Sequence, residues 1–123
     1  MRQASVSRPS AGEQLIADTK LKQRFHDAHE RRAYARAVET AKRLVDAPEL
    51  VERGRRFAEQ VMRPDPHMAR YYETWSKLLN QDVGTIARNL IEDSQHGALL
   101  RDTCPVFVTF TRQELESLQT SPA

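Results

Sequence analysis

Apolar residues recur at helical spacing along most of this chain, with polar residues on the faces between them. From Arg32 onward, Tyr34, Ala37, Val38, Ala41, Leu44 and Val45 share one stripe at a period of about 3.6 residues, and Arg32, Arg36, Glu39 and Arg43 share the opposite one. Asp46-Ala47-Pro48 ends this helix, because the residue before a proline is pushed out of the α region. The next helix carries Leu50, Val51, Gly54, Phe57, Ala58, Val61 and Met62 on its inner side. Its outer side sets Glu52 four residues before Arg56 and Glu59 four before Arg63, the favourable order for helical ion pairs.

Arg63-Pro64-Asp65-Pro66 breaks the pattern, and Asp65 is suited to cap a helix with Met68, Tyr71, Tyr72, Trp75, Leu78 and Leu79 inward. Asp82 caps another helix with Val83, Ile86, Ala87, Leu90 and Ile91, and Ser94 begins a further turn or two. Upstream, Ala11 to about Arg31 is rich in helix formers, and its apolar residues follow the period loosely, so one helix is expected there. Met1–Ser10 is polar and aperiodic and reads as a disordered leader, without the apolar core of a secretory signal.

The period changes near the end. Val106-Phe107-Val108-Thr109-Phe110 is β-branched and aromatic throughout and reads as an extended segment over 104–110. Thr111 with Glu114 is a capping-box pattern that starts a short helix over 111–119. The expected fold is all-α: a compact bundle of four to five short helices over 11–103, followed by these two elements. The core is expected at Leu44, Leu50, Phe57, Val61, Tyr72, Trp75, Leu79, Ile86 and Leu90.

A lone strand has unpaired backbone groups on both edges. Val106, Phe107, Val108 and Phe110 are therefore candidate partner-binding residues, adding a strand to a partner or to a second copy of the chain. The plainer alternative is a strap laid over the chain's own helices.

Composition narrows the function. At 123 residues the chain is one domain, large enough to bury a core without metal or disulfide. Its single cysteine, Cys104, forms no internal disulfide, which fits a cytoplasmic setting. No apolar run approaches the ~18–20 residues of a membrane span. The net charge of +2 divides into +5 over residues 1–64 and −3 over 65–123. A basic half suits an anionic partner. Arg32, Arg36 and Arg43, on one helix face, are the candidate nucleic-acid contacts. A helix-turn-helix over Asp82–Arg101 would offer only Gln95, His96 and Arg101 to bases, and Gly97 weakens its second helix.

Catalytic signatures are thin. No nucleophile elbow, glycine-rich phosphate loop or HExxH is present. His26, Asp27, His29 and Glu30 cluster on one expected helix, but a zinc site usually draws ligands from a second element, so no metal or cofactor is expected. The sequence therefore points to a small non-enzymatic regulatory or adaptor protein, antitoxin-like in size and charge, that acts through protein–protein contact. A DNA- or RNA-binding regulator is the alternative.

Overall fold

A computed structural model of the chain describes residues 8–120. Of the leader expected over 1–10, residues 1–7 lie outside the described residues, and Ser10 belongs to the fold instead, as the cap of the first helix, its hydroxyl accepting the Glu13 N–H at 3.0 Å. Among the described residues the fold is all-helical, with seven helices: six within 11–103, where four to five were expected, and the terminal helix expected after them. They are α1 (Ala11–Ala17), α2 (Ala28–Asp46), α3 (Glu49–Phe57), α4 (Ala69–Leu78), α5 (Val83–Leu90), α6 (Gln95–Thr103) and α7 (Arg112–Thr120). A π turn, Ala58–Met62, prolongs α3, and a 3-10 turn, Phe107–Thr109, precedes α7.

The single helix expected over 11–31 is two helices with a non-helical link. Asp18 caps the end of α1, and the Thr19 hydroxyl donates back to the Leu15 carbonyl at 2.6 Å. Asp27 starts α2 afresh, its carboxylate accepting the Glu30 N–H at 2.8 Å. Tertiary packing overrides helix propensity in between. Leu21 and Phe25 reach the core from this link, and the Phe25 ring lies 5.6 Å from that of Tyr34. His26 and Asp27 consequently precede α2 instead of lying on a helix with His29.

α2 is the central rod, packed against α1 and α5. Its buried stripe is Tyr34, Ala37, Thr40, Ala41 and Leu44. Trp75 is buried, and its indole N–H donates to the Thr103 hydroxyl at 2.8 Å, tying α4 to α6. Leu50, Leu79, Ile86 and Leu90 are buried as the pattern requires, while Phe57 and Tyr72 are half-buried at its edge.

Val61 departs from expectation, at 44% exposed. The π turn is the cause. Arg63 N–H bonds to the Ala58 carbonyl, five residues back, at 2.8 Å. The wider turn rotates Val61 off the inner stripe and keeps Met62, expected there as well, fully buried in it. The start of α4 is also displaced, to Ala69: Asp65 accepts the His67 N–H at 2.8 Å, as a cap would, but the residues that follow form a turn before the helix begins. On α3, Glu52 pairs with Arg55 at 3.4 Å in place of Arg56.

Gly97 follows from packing. Its N–H donates to the Ser94 cap at 2.9 Å, and a Cβ there would stand 2.0 Å from the Glu92 carbonyl oxygen. Propensity alone makes Gly97→Ala stabilising by about 1 kcal/mol. The contact reverses the sign: we expect a net loss of about 1–3 kcal/mol, the usual cost of overpacking, read as a lower urea midpoint.

Candidate contact surfaces

The segment after α6 is a turn, not a strand. Thr109 N–H bonds to the Val106 carbonyl at 3.0 Å, and Phe110 N–H to the Phe107 carbonyl at 3.1 Å. The Thr109 hydroxyl donates to the same Val106 carbonyl at 2.7 Å. With no neighbouring strand, β-propensity gives way to the need to pair backbone groups, and the chain meets that need by curling. The extended segment expected over 104–110 is corrected accordingly, and a ladder of free backbone groups across Val106–Phe110 goes with it.

The four residues singled out there separate into two kinds. Val106 is fully buried, seated where α3 has Gly54; a Cβ on Gly54 would come within 2.7 Å of the Val106 side chain. Phe110 is buried too. Phe107 is half-buried, edge-on to Phe110 with ring centroids 5.9 Å apart. Val108 is 56% exposed. Of the four, only Phe107 and Val108 keep appreciable exposed surface.

Arg53 of α3 clasps this turn. Its two terminal nitrogens meet the two Glu114 carboxylate oxygens at 2.9 and 2.6 Å. It also reaches the Thr109 carbonyl at 3.4 Å and stands 6.0 Å from the Phe110 ring centre. A bidentate, partly shielded pair of this kind is stronger and more directional than an ordinary surface ion pair. Glu114 is further fixed by the predicted capping box, accepting the Thr111 N–H at 2.8 Å while the Thr111 hydroxyl accepts the Glu114 N–H at 3.2 Å. The Arg53 guanidinium and the Thr111 N–H hold the Glu114 carboxyl at about 2. Beside the turn, burial pushes the Cys104 thiol up to about 11, so it stays protonated near neutral pH.

The basic face of α2 is also divided. Arg32 is exposed and Arg36 half-exposed, and neither makes an ion pair with a described residue. Arg43 donates to the Ser117 hydroxyl of α7 at 2.8 Å, and Lys42 pairs with Glu39 at 2.9 Å. In the α5–α6 pair, Gln95 and His96 are exposed. Arg101 instead turns inward, donating to the carbonyls of Leu90 at 3.1 Å and Glu92 at 2.9 Å while its guanidinium stands 4.9 Å from the Tyr34 ring centre. It closes the end of α5 and is not presented to a groove. Around His26, Asp27 is the α2 cap and the Glu30 carboxylate accepts the His26 N–H. Among the described residues no group of three or more His, Cys, Asp or Glu is placed to hold a metal ion.

A cleft of about 150 Å³ opens between the π turn and α4, with Ala58, Tyr72 and Leu79 inside and Arg55, Glu59, Ser76 and Asn80 around them. Its charged groups are already engaged. Arg55 donates to the Leu79 carbonyl at 2.6 Å, and Glu59 takes the Tyr72 hydroxyl and Arg63. Those two donors hold the Glu59 carboxyl below its usual range. The cleft is smaller than the roughly 300–1,000 Å³ typical of small-molecule sites. No protein-family model, curated protein or solved structure matches this chain.

Sequence reasoning missed the Arg53–Glu114 clasp. The partners lie 61 residues apart, and neither belongs to a local motif that names the other. The capping box was the one available signal, since it fixed where Glu114 had to be.

A carboxylate with a lowered folded pKa adds stability above its unfolded pKa and loses it as pH falls toward the folded one. The wild type should exceed Glu114→Gln in urea midpoint by its full margin at neutral pH. That margin should close between the ordinary value of 4.5 and about 2. A margin unchanged down to about pH 2 would remove the clasp from the stability of the turn.

Proposed function

We propose that this chain is a small non-enzymatic regulatory or adaptor domain that acts through protein–protein contact, with the Phe107–Thr109 turn as its contact point. One observation carries the reading: Val108 is 56% exposed on a turn that the Arg53–Glu114 clasp holds in place. A side chain held in one position loses little freedom when a partner covers it, so more of the apolar contact appears as affinity. Phe107 beside it enlarges the apolar centre, and exposed Thr111, Arg112 and Gln113 supply a polar rim. The mode of contact is insertion of side chains into a partner pocket. Strand addition, the mode suggested by composition, lacks its row of free backbone groups.

The partner is a second copy of the chain or another protein, and size-exclusion chromatography with light scattering separates the two. A wild-type assembly larger than one chain that becomes monomeric in Val108→Asp, with helical circular dichroism unchanged, supports the reading with a second copy as partner. A Val108→Asp protein that assembles like the wild type removes the turn as the contact. A monomeric wild type directs the same substitution to a binding assay with a heterologous protein.

A further inference from the structure

We infer that the N-terminal end of α2, with the link that leads into it, is a binding surface for the phosphate backbone of nucleic acid. Residues 20–36 contain six Lys or Arg and two acids. One cation is committed, Lys22, which pairs with Asp93 at 3.3 Å. Lys20, Arg24, Arg31 and Arg32 are exposed and Arg36 half-exposed, and none forms an ion pair with a described residue. The two acids are turned to backbone work: Asp27 caps α2 through the Glu30 N–H, and Glu30 accepts the His26 N–H.

The rest of the molecule treats its cations differently. Arg43, Arg53, Arg55, Arg63 and Arg101 each hold a described side chain or carbonyl. The cations left over elsewhere are spread across several elements. The five cations left at 20–36 once Lys22 is set aside are therefore a concentration of charge that forms no ion pair with a described residue. Arg32 and Arg36 stand one helical turn apart, about 6 Å along the axis, a spacing at which two guanidiniums can meet neighbouring phosphates.

Two observations favour nucleic acid over an anionic membrane. A membrane-surface helix needs an apolar face to bury in the bilayer. The apolar face of α2 is already buried in the core, and the exposed large hydrophobics among the described residues, Val61 and Val108, lie outside this segment. Arg101, the arginine of the α5–α6 pair, is withdrawn into the fold, which leaves phosphate contact by the exposed cations of this segment as the mode of binding. The binding is independent of base sequence and governed by salt. It is separate from the contact proposed at Val108, and either can fail alone.

The test is fluorescence anisotropy of the full chain with a labelled random-sequence duplex across a salt series. The triple variant Arg31→Gln, Arg32→Gln, Arg36→Gln is compared with the control triple Arg56→Gln, Lys77→Gln, Arg88→Gln, which removes the same charge from other elements. Glutamine keeps helix propensity in both. The expected result is wild-type binding that weakens with salt. The α2 triple should lose at least about tenfold in affinity and about two to three units of log–log salt slope, at roughly 0.9 per lost phosphate contact. The control triple should change affinity by less than about twofold. Equal losses in both triples would reduce the effect to net charge and overturn the surface. So would the absence of saturable wild-type binding at the lowest salt, or tighter binding to vesicles of anionic lipid than to the duplex.

Discussion

The hydroxyl of Tyr34 joins the link after α1 to the end of α5. It donates to the Ile91 carbonyl at 2.6 Å and accepts the Lys22 N–H at 3.1 Å, inside a residue that is 5% exposed. Its ring meets Phe25 on the link from α1 and the Arg101 guanidinium from α6. One side chain of α2 thus fixes the link before it, the end of α5 and the start of the α5–α6 connection. A buried carbonyl at the end of a helix and a buried N–H in an irregular link each need a partner. Tyr34 satisfies both with one oxygen, and so the link can run across the core without helical structure of its own.

The same economy appears at other helix ends. Arg101 supplies donors to the last carbonyl of α5, that of Leu90, and to the Glu92 carbonyl just beyond the helix, and Arg55 supplies one to the Leu79 carbonyl after α4. Asp46, at the unfavourable end of α2 for an acid, accepts the Gly12 N–H at 2.8 Å and the Ser10 hydroxyl at 2.9 Å at the start of α1. Gly12 allows that approach, since a Cβ there would fall 2.3 Å from the Lys42 carbonyl oxygen. Short helices expose many end groups relative to their length. This protein caps several of them locally and closes three with charged side chains borrowed from distant elements, Asp46, Arg55 and Arg101. Some of the charge that looks like solvated surface along the sequence is therefore part of the internal joinery.

That explains what the sequence disclosed and what it withheld. Local signals were legible: the α2 stripe, the caps at Asp82 and Ser94, the Thr111–Glu114 box and most of the core, from Leu44 to Leu90. What failed depended on distant partners or on a change of period. The 11–31 helix breaks because Tyr34 and the core claim Leu21, Lys22 and Phe25. Val61 leaves the core because one wide turn resets the phase, and residue spacing carries no mark of that turn. The Val106–Phe110 run reads as a strand by composition alone, and curls because Gly54 offers Val106 a seat and Arg53 holds Thr109 and Glu114. At the candidate surfaces the residue types were legible and their commitments were not: Arg43 and Arg101 look like Arg32 in a sequence, and only their partners distinguish them.

The commitments also set how the two proposed contacts relate. The basic end of α2 and the clasped turn are connected through a continuous path: α2 runs from Ala28 to Asp46, Arg43 holds Ser117 of α7, and Glu114 of α7 holds Arg53 beneath the turn. A helix of this length transmits position far more readily than it transmits a change of state, since coupling requires an element with two alternative arrangements. The physical consequence is geometric. A partner seated on Val108 and a polyanion seated at Arg32 would be held at a fixed separation and orientation by α2. The domain would then work as a spacer between them, and its specificity would lie in which pair of surfaces that spacing can satisfy.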